Sequence, residues 1–568
     1  MEFVIGLHSH LPYVLRHGRW PHGSDWLCEA AVDSYLPLLE KVDELAARGI
    51  RMPLTIGLSP VLANQLADPA FAAELDAFFA QRLAACEDAR RTLAQTGDGA
   101  LLPLVDFWAA RLRRLQAGFE AGGRDIVAGF VRLEAAGQLE TMTCAATHAY
   151  LPLLARDESI RLQLLLARAE HRRLLGRDPA GCWLPECAYR PRGWWQPADA
   201  PHPGPRAGIE EHLAAAGIQY FFTDAHLAQA GSALGAYAEV PIGAERFDAA
   251  RRDPGRYRGD GAWRTPYRAY LAGSATGAAR VATLVRDPRS SMQVWSREHG
   301  YPGDEWYLEF HKIRWPGGLK FWRVSRPRSD LGEKRAYDPS AALAQVALHA
   351  SHFASLLTGL GRTGETGVDG LVTAPFDTEL FGHWWFEGVE FLAAVYRNLA
   401  DHPSVRGVTA SEHLARHPPR VAVELAPGSW GAGGDDGMWL NHQTAWTWRR
   451  LWDLEDRFWG VAPRCLETAD ARPVLAQAAR ELLLAQASDW QFLITTGAVA
   501  DYAARRFSLH ADGAERLVAA LEAVAAESVV ADEARRAAEE MRARDAVFPE
   551  VLSAVAQAVR ARAAPVPA

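Results

Sequence analysis

Two carboxylates in this 568-residue chain sit where a charge is costly. Glu186 lies in GCWLPECAYRP (181–191) and Asp377 in TAPFDTELFGHWWFEG (373–388), each among apolar and aromatic residues. Aspartate and glutamate are rarely buried without a partner, so either one alone reads as a buried ion pair or a helix cap. A pair of them has a chemical use. Cleavage of a glycosidic bond needs one carboxyl to protonate the leaving oxygen and another to attack the anomeric carbon or activate water. An apolar surround raises a carboxyl pKa and keeps an acid protonated near neutrality. At a separation of about 5–5.5 Å the pair retains configuration through a covalent glycosyl-enzyme. A sugar hydroxyl can capture that intermediate in place of water.

HSHLPY offers a second chemistry. Side chains alternate along a strand, so His8 and His10 point to the same side. His-x-His is also a metal-ligand spacing, and with a carboxylate from another strand it would suit the zinc of a sugar deacetylase or mannosidase. Local spacing supplies no third ligand. The reading preferred here has both histidines hydrogen-bonding to sugar hydroxyls, with no metal and no organic cofactor. PGSWGAGGDDGMWL (427–440) fails as a phosphate loop, because no Lys-Ser/Thr follows it. It reads as a loop presenting Trp430 to a sugar, or as a plain linker. Twenty tryptophans also stand out. They are core packing or platforms for the apolar faces of sugar rings, and composition does not separate the two.

Such residues need a scaffold. Apolar runs at 3–8, 52–58, 140–145, 182–186, 218–223, 281–286 and 370–375 alternate with longer amphipathic segments. Strand and helix in turn argue an α/β fold with a parallel sheet and helices outside. About seven units favour a TIM-like (β/α) barrel over a doubly wound sheet, and no G-x-G-x-x-G follows the first strand. Polar residues gather just past these runs: His8 and His10, Ser59, His148, Glu186, Asp224, Arg286 with Asp287, and Asp377. That is where barrel enzymes build their sites. The sequence divides into a catalytic barrel over 1–417 and an α-helical C-terminal domain over 418–568, helical throughout. Within the barrel, about 66–135 reads as a helical insertion and about 225–280 as a long loop of the kind that acts as a lid.

The net charge of −8 argues against a nucleic-acid partner. No apolar run reaches membrane-spanning length. Met1 leads directly into a strand-like run without a charged leader, and the six cysteines show no C-x-x-C. These features predict a cytoplasmic protein with reduced thiols.

Five segments, HSHLPYV, GLSPVLANQL, CWLPECAYRP, APFDTELFGHWWFEG and GVTASEHL, resemble the ordered motifs of glycoside hydrolase family 57. VRDPRSSMQVWSREHGYPGDEWYLEFHK, GSWGAGGDDGMWLN and ELLLAQASDWQFL look like that family's 1,4-α-glucan branching enzymes. The resemblance runs from residue 3 to about residue 510. It implies a distorted (β/α)7 barrel with Glu186 as nucleophile and Asp377 as general acid/base. It also implies glucan contacts at Arg286, Gly303, Trp430 and Asp489, and cleft positions for His8, His10 and Trp295. Tyr237, in GAYAEV on the long loop, matches a tyrosine held over the cleft to keep water from the intermediate. The implied partner is an α-1,4-glucan, and the implied reaction moves a segment of it to a 6-hydroxyl, as in glycogen synthesis. Four other activities compete. A 4-α-glucanotransferase or an α-amylase of the same family would share the carboxylates, and a metal-dependent sugar deacetylase or mannosidase would use His8 and His10. The sequence departs from the family in Cys187 and in the long 241–280 segment.

Overall fold

The computed structural model describes residues 1–197, 199–230, 264–273, 280–295, 300–326, 330–362, 370–524 and 530–562. Twelve short strands occur among them: β1 (Glu2–Ser9), β2 (Leu54–Leu58), β3 (Leu139–Cys144), β4 (Gly181–Trp183), β5 (Gly193–Trp195), β6 (Gly204–Arg206), β7 (Tyr220–Thr223), β8 (Ala269–Ala272), β9 (Val281–Val285), β10 (Leu371–Asp377), β11 (Arg406–Gly407) and β12 (Ala422–Val423). Seven of them run parallel in the order β10-β1-β2-β3-β4-β7-β9. Just past β9, Arg286 makes a single parallel bridge to Thr373 in β10, and the Asp287 amide donates to the Thr373 carbonyl at 2.8 Å. That bridge returns the sheet to its starting strand. The seven-stranded barrel expected from the apolar runs is therefore borne out, and each run coincides with one of these strands.

The strands form where they do because they are buried on both faces. Every residue of β1, β2, β3, β7 and β9 is buried, as parallel strands covered by helices require. The register is set by β1, which places His8 opposite Asp377 on β10 and opposite Gly57 on β2.

Residues 66–135 hold three helices, Pro69–Thr96, Leu102–Ala121 and Ile126–Ala135. The side chains of Asp68 and Asp125 accept from amides in the first turns of the first and third, which satisfies otherwise orphaned donors. Two sequence expectations need correction. The 225–280 region is not loop throughout, since Ala269–Ala272 forms β8, antiparallel to β9, with Tyr270 buried. The chain is not helical from 418 either, because the first long helix of this part starts at Ala445. Residues 418–444 include three prolines and the glycines of 428–437, and both residue types disfavour helix. Here β12 pairs with β8, and a glycine-rich loop follows.

From Ala445 the chain folds into six helices, Ala445–Glu467, Arg472–Ala485, Asp489–Thr496, Ala500–Ala523, Asp532–Arg544 and Val551–Arg562. One continuous hydrophobic core joins them to the barrel. Among the described residues no helix is long and apolar enough to cross a membrane. All six cysteines are unpaired and buried.

Candidate active site

Glu186 follows β4 by three residues, in a turn over Pro185–Cys187. Its backbone is left-handed (φ +59°), and so is that of Cys187 (φ +47°). Two successive left-handed residues that are not glycine cost of order 1–3 kcal/mol each and persist only where neighbours enforce them. The neighbour here is the glycine-rich loop. Tyr189 and Gly428 exchange backbone hydrogen bonds at 2.8 and 3.0 Å, and the Trp430 amide donates to the Glu186 carbonyl at 3.0 Å. The same loop reaches the side chain, with Trp430 Nε1 donating to Glu186 Oε2 at 2.8 Å. Ser488 Oγ lies 3.5 Å from Oε1, and His148 Nδ1 lies 3.9 Å from it. Burial raises the Glu186 pKa to about 7, against the lowering effect of the Trp430 hydrogen bond.

Asp377 ends β10, beside His8 on the neighbouring strand. Its pKa is raised well above the usual carboxylate range, first by burial and then by the charges of Glu379 and Glu186, with Arg286 opposing. The two carboxylates thus feel each other. They differ in support, because Glu186 accepts hydrogen bonds that favour its ionised form, whereas Asp377 has no such donor among the described residues. Environments of this kind separate an acid from a nucleophile.

Between and beside them lies a stack of rings. His8 is parallel to Trp183 (centroids 4.9 Å) and to His148 (4.9 Å), and His10 lies 4.0 Å from His148. Burial, the larger cause in each case, pushes the pKa of His8 and of His148 well down, so both rings are neutral. Both nitrogens of His8 and Nε2 of His148 are buried without a partner, which leaves them available to a bound hydroxyl. His10 is held at both ends, Nδ1 to Ser59 Oγ at 2.8 Å and Nε2 to Asp489 Oδ2 at 2.9 Å. Trp430 packs edge-on against Trp183 (5.3 Å) and Trp295 (5.8 Å), and the Arg286 guanidinium lies 5.6 Å from its ring. Arg286 is itself held 3.5 Å from Asp224, with Nε and Nη2 free.

The structure therefore brings together Glu186, Asp377, His8, His10, Arg286, Trp295, Trp430 and Asp489. Gly303 closes a turn, Tyr301–Gly303, whose tyrosine bonds His352 at 2.6 Å and stacks on His349, and among the described residues no hydrogen bond ties Gly303 to the carboxylates. Tyr237 lies outside the described residues. The histidine pair does not act as one ligand pair. The donor sets of metal-binding geometry found here are His8, Cys144 and His148, and separately His10, His148 and Asp489.

Sequence reasoning missed two residues. Glu379 is buried with a pKa raised to about 7, chiefly by burial, and it accepts from the Tyr35 hydroxyl and the His10 amide. The alternation Asp377-x-Glu379 was a usable signal. Ser488 had no signal beyond adjacency to Asp489.

Residues 4–426 match the model of glycosyl hydrolase family 57. The chain belongs to this family. Residues 451–555 match a second model, the C-terminal region of 1,4-alpha-glucan branching enzymes. A 1,4-alpha-glucan branching enzyme of Thermococcus kodakarensis is 38% identical over 519 residues, 90% of this chain and 72% of that protein. The crystal structure of a family 57 branching enzyme from the same organism superposes with a TM-score of 0.86 at 36% identity, covering 97% of this chain and 96% of that one. An alpha-amylase from Thermotoga maritima superposes with a TM-score of 0.77 at 27% identity, covering 98% and 99%. The family 57 barrel thus accounts for the strand order, and the helices from Ala445 onward fall within the branching-enzyme model.

Proposed function

We propose that this chain is a 1,4-α-glucan branching enzyme working by double displacement through Glu186 and Asp377. The observation that carries the activity is the branching-enzyme match over 451–555, which adds to the family match over the barrel. In the first step Glu186 attacks C1 of a glucosyl unit. The C1–O4 bond breaks, and protonated Asp377 gives its proton to O4. In the second step the 6-hydroxyl of an acceptor chain attacks C1 and returns a proton to Asp377, releasing Glu186. The product carries an α-1,6 branch with configuration retained.

On this reading the barrel of 1–417 carries both carboxylates, and the region from 418 onward supplies Trp430 and Asp489 to the same cleft. His8, His10, Arg286 and Trp295 contact the sugar at the reacting unit, Gly303 lies further along the bound chain, and Tyr237 shields the intermediate. Each tenfold preference for a sugar hydroxyl over water corresponds to about 1.4 kcal/mol in the second barrier. The similarity to an alpha-amylase favours a second reading, hydrolysis through the same carboxylates. Proton NMR of amylose treated with the enzyme separates the two. Branching adds an α-1,6 anomeric signal, and its absence rejects branching. Glu186→Gln abolishes transfer and hydrolysis alike, and substantial activity in that variant rejects the assignment of Glu186.

A further inference from the structure

Ser488 is wholly buried and stands immediately before the helix Asp489–Thr496. Serine at such a position ordinarily turns its hydroxyl to an amide of the first helical turn. Ser488 makes no such bond, so its hydroxyl serves something else. The chain before it grips the turn that carries His148. The Ser488 amide donates to the His148 carbonyl at 3.1 Å, and Ala487 pairs with Ala149 in an antiparallel bridge. Thr147 Oγ1 donates to the Leu483 carbonyl at 2.5 Å. His148 needs that grip, because its backbone is left-handed (φ +59°), a region uncommon for residues with a Cβ.

The Ser488 hydroxyl then meets two polar atoms, His148 Nδ1 at 2.9 Å and Glu186 Oε1 at 3.5 Å. The imidazole and the carboxylate are 3.9 Å apart, too far for a direct hydrogen bond, so the serine stands between them. A hydroxyl has one proton to give, and an ionised carboxylate only accepts. The Ser488 proton therefore goes to Glu186, and its oxygen takes a proton from His148 Nδ1. His148 is neutral, since burial and then His10 and His8 push its pKa well down. A neutral imidazole with its proton on Nδ1 has a bare lone pair on Nε2. That Nε2 is buried and has no partner in the protein.

We propose that Ser488 is a positioning residue that fixes His148 as the Nδ1–H tautomer, so that His148 Nε2 accepts from a hydroxyl of the reacting glucosyl unit while Ser488 donates to Glu186. The proposal rests on the double-displacement reading, which makes Glu186 the ionised nucleophile. The chain of hydrogen bonds runs one way, from sugar hydroxyl to His148, to Ser488, to Glu186. The 3.5 Å contact suits this role, because catalytic hydrogen bonds in unliganded sites are often long and tighten when substrate binds. Protonation of Glu186 reverses the direction. The carboxyl then donates to Ser488, Ser488 donates to Nδ1, and the imidazole carries its proton on Nε2, where it opposes a donating hydroxyl. The tautomer of His148 thus follows the charge of Glu186. The other titratable groups around the chain are Asp377, Asp489, His8, His10 and Cys144.

The test reads the protons directly. Neutron diffraction from deuterium-exchanged wild-type crystals, above the Glu186 pKa of about 7, shows deuterium on His148 Nδ1, none on Nε2, and the Ser488 hydroxyl turned to Glu186. Deuterium on Nε2 under those conditions overturns the proposal. Kinetics on a maltooligosaccharide supply a second arm. Ser488→Ala lowers kcat/KM about tenfold or more, the scale of one hydrogen bond to a charged group. Its acid limb moves to higher pH, because the ionised form of Glu186 has lost a donor. Ser488→Thr keeps the hydroxyl and restores most of both. His148→Ala costs several-fold less in the Ser488→Ala background than in the wild type, since residues that act as a unit are not additive. Equal costs in the two backgrounds, or an acid limb that Ser488→Ala leaves in place, overturn the proposal. The neutron arm uses the wild-type chain, so it stands even where a variant fails to fold. Failure of the double-displacement reading has a different signature, a Glu186→Gln variant that keeps its activity whichever tautomer His148 adopts.

Discussion

Glu186 and Asp377 are the same functional group in two different surroundings, and the difference is chemical. Trp430 and Ser488 aim donors at Glu186, while Asp377 faces Glu379 and Glu186 with only Arg286 in opposition. The productive state on the double-displacement reading has Glu186 ionised and Asp377 protonated. Since kcat/KM reports the free enzyme, it falls as pH drops through the Glu186 pKa of about 7 and falls again as pH rises past the pKa of Asp377, which burial and the neighbouring carboxylates hold well above the usual carboxylate range. Trp430→Phe removes a hydrogen bond to the ionised form of Glu186, so that pKa rises further. The acid limb of the profile then moves to higher pH, by about one unit for a charge-assisted bond of about 1.5 kcal/mol. A limb that stays in place or moves to lower pH defeats this account of Trp430. On the same residue scale, Tyr237→Ala raises reducing-end release relative to α-1,6 bond formation, measured together on amylose. An unchanged ratio removes its shielding role.

Elements explain how these residues meet and how far the sequence revealed it. The seven barrel strands were legible because each is an unbroken apolar run bounded by polar residues, and Glu186 and Asp377 were legible as charges at the ends of two such runs. β5, β6, β8, β11 and β12 were not, since two to four residues carry no periodicity to read. The contacts of Trp430 and Ser488 with Glu186 span 244 and 302 residues, and no local pattern encodes a pairing at that distance. What the sequence did hold was the loop's glycine content, and the structure gives the reason for one of those glycines. A Cβ on Gly428 would lie 2.4 Å from the Gly434 carbonyl and 2.6 Å from the Leu227 side chain. Gly428→Ala therefore shifts the strap that pairs with Tyr189 and carries Trp430. Overpacking of this kind costs about 1–3 kcal/mol, and displacing a positioning group by about 1 Å costs up to about 10²-fold in rate. The expected result is a lower Tm together with a fall in kcat/KM. Wild-type values of both mean the strap tolerates the change and does not position Trp430.

At the scale of the molecule the site is completed only where the two regions of the chain meet. His10 and Glu186 leave barrel strands, yet their partners Asp489 and Ser488 open a helix of the C-terminal region. The seam behind them is buried and hydrogen-bonded. Trp452 Nε1 donates to the Leu153 carbonyl at 2.8 Å and Trp459 Nε1 to Ser159 Oγ at 2.8 Å. Glu455 accepts from the Ala155 amide at 2.7 Å and from Gln486 at 2.9 Å, and Gln163 donates to Gln486 at 3.0 Å. Separating the regions would exchange these hydrogen bonds for bonds to water at a net cost of about 0.5–1.5 kcal/mol each, in addition to exposing the tryptophan faces. The barrel and the helices consequently have no low-cost way to come apart before either unfolds. Calorimetry of the full chain should show one endotherm rather than two. Trp452→Ala, which removes a fully buried seam residue, costs about 3–5 kcal/mol. Its single endotherm moves to lower temperature, and loss of activity on heating tracks it. Two resolved transitions in the wild type, or a Trp452→Ala endotherm that splits while activity follows only the upper part, would show that the barrel holds its site without the helices.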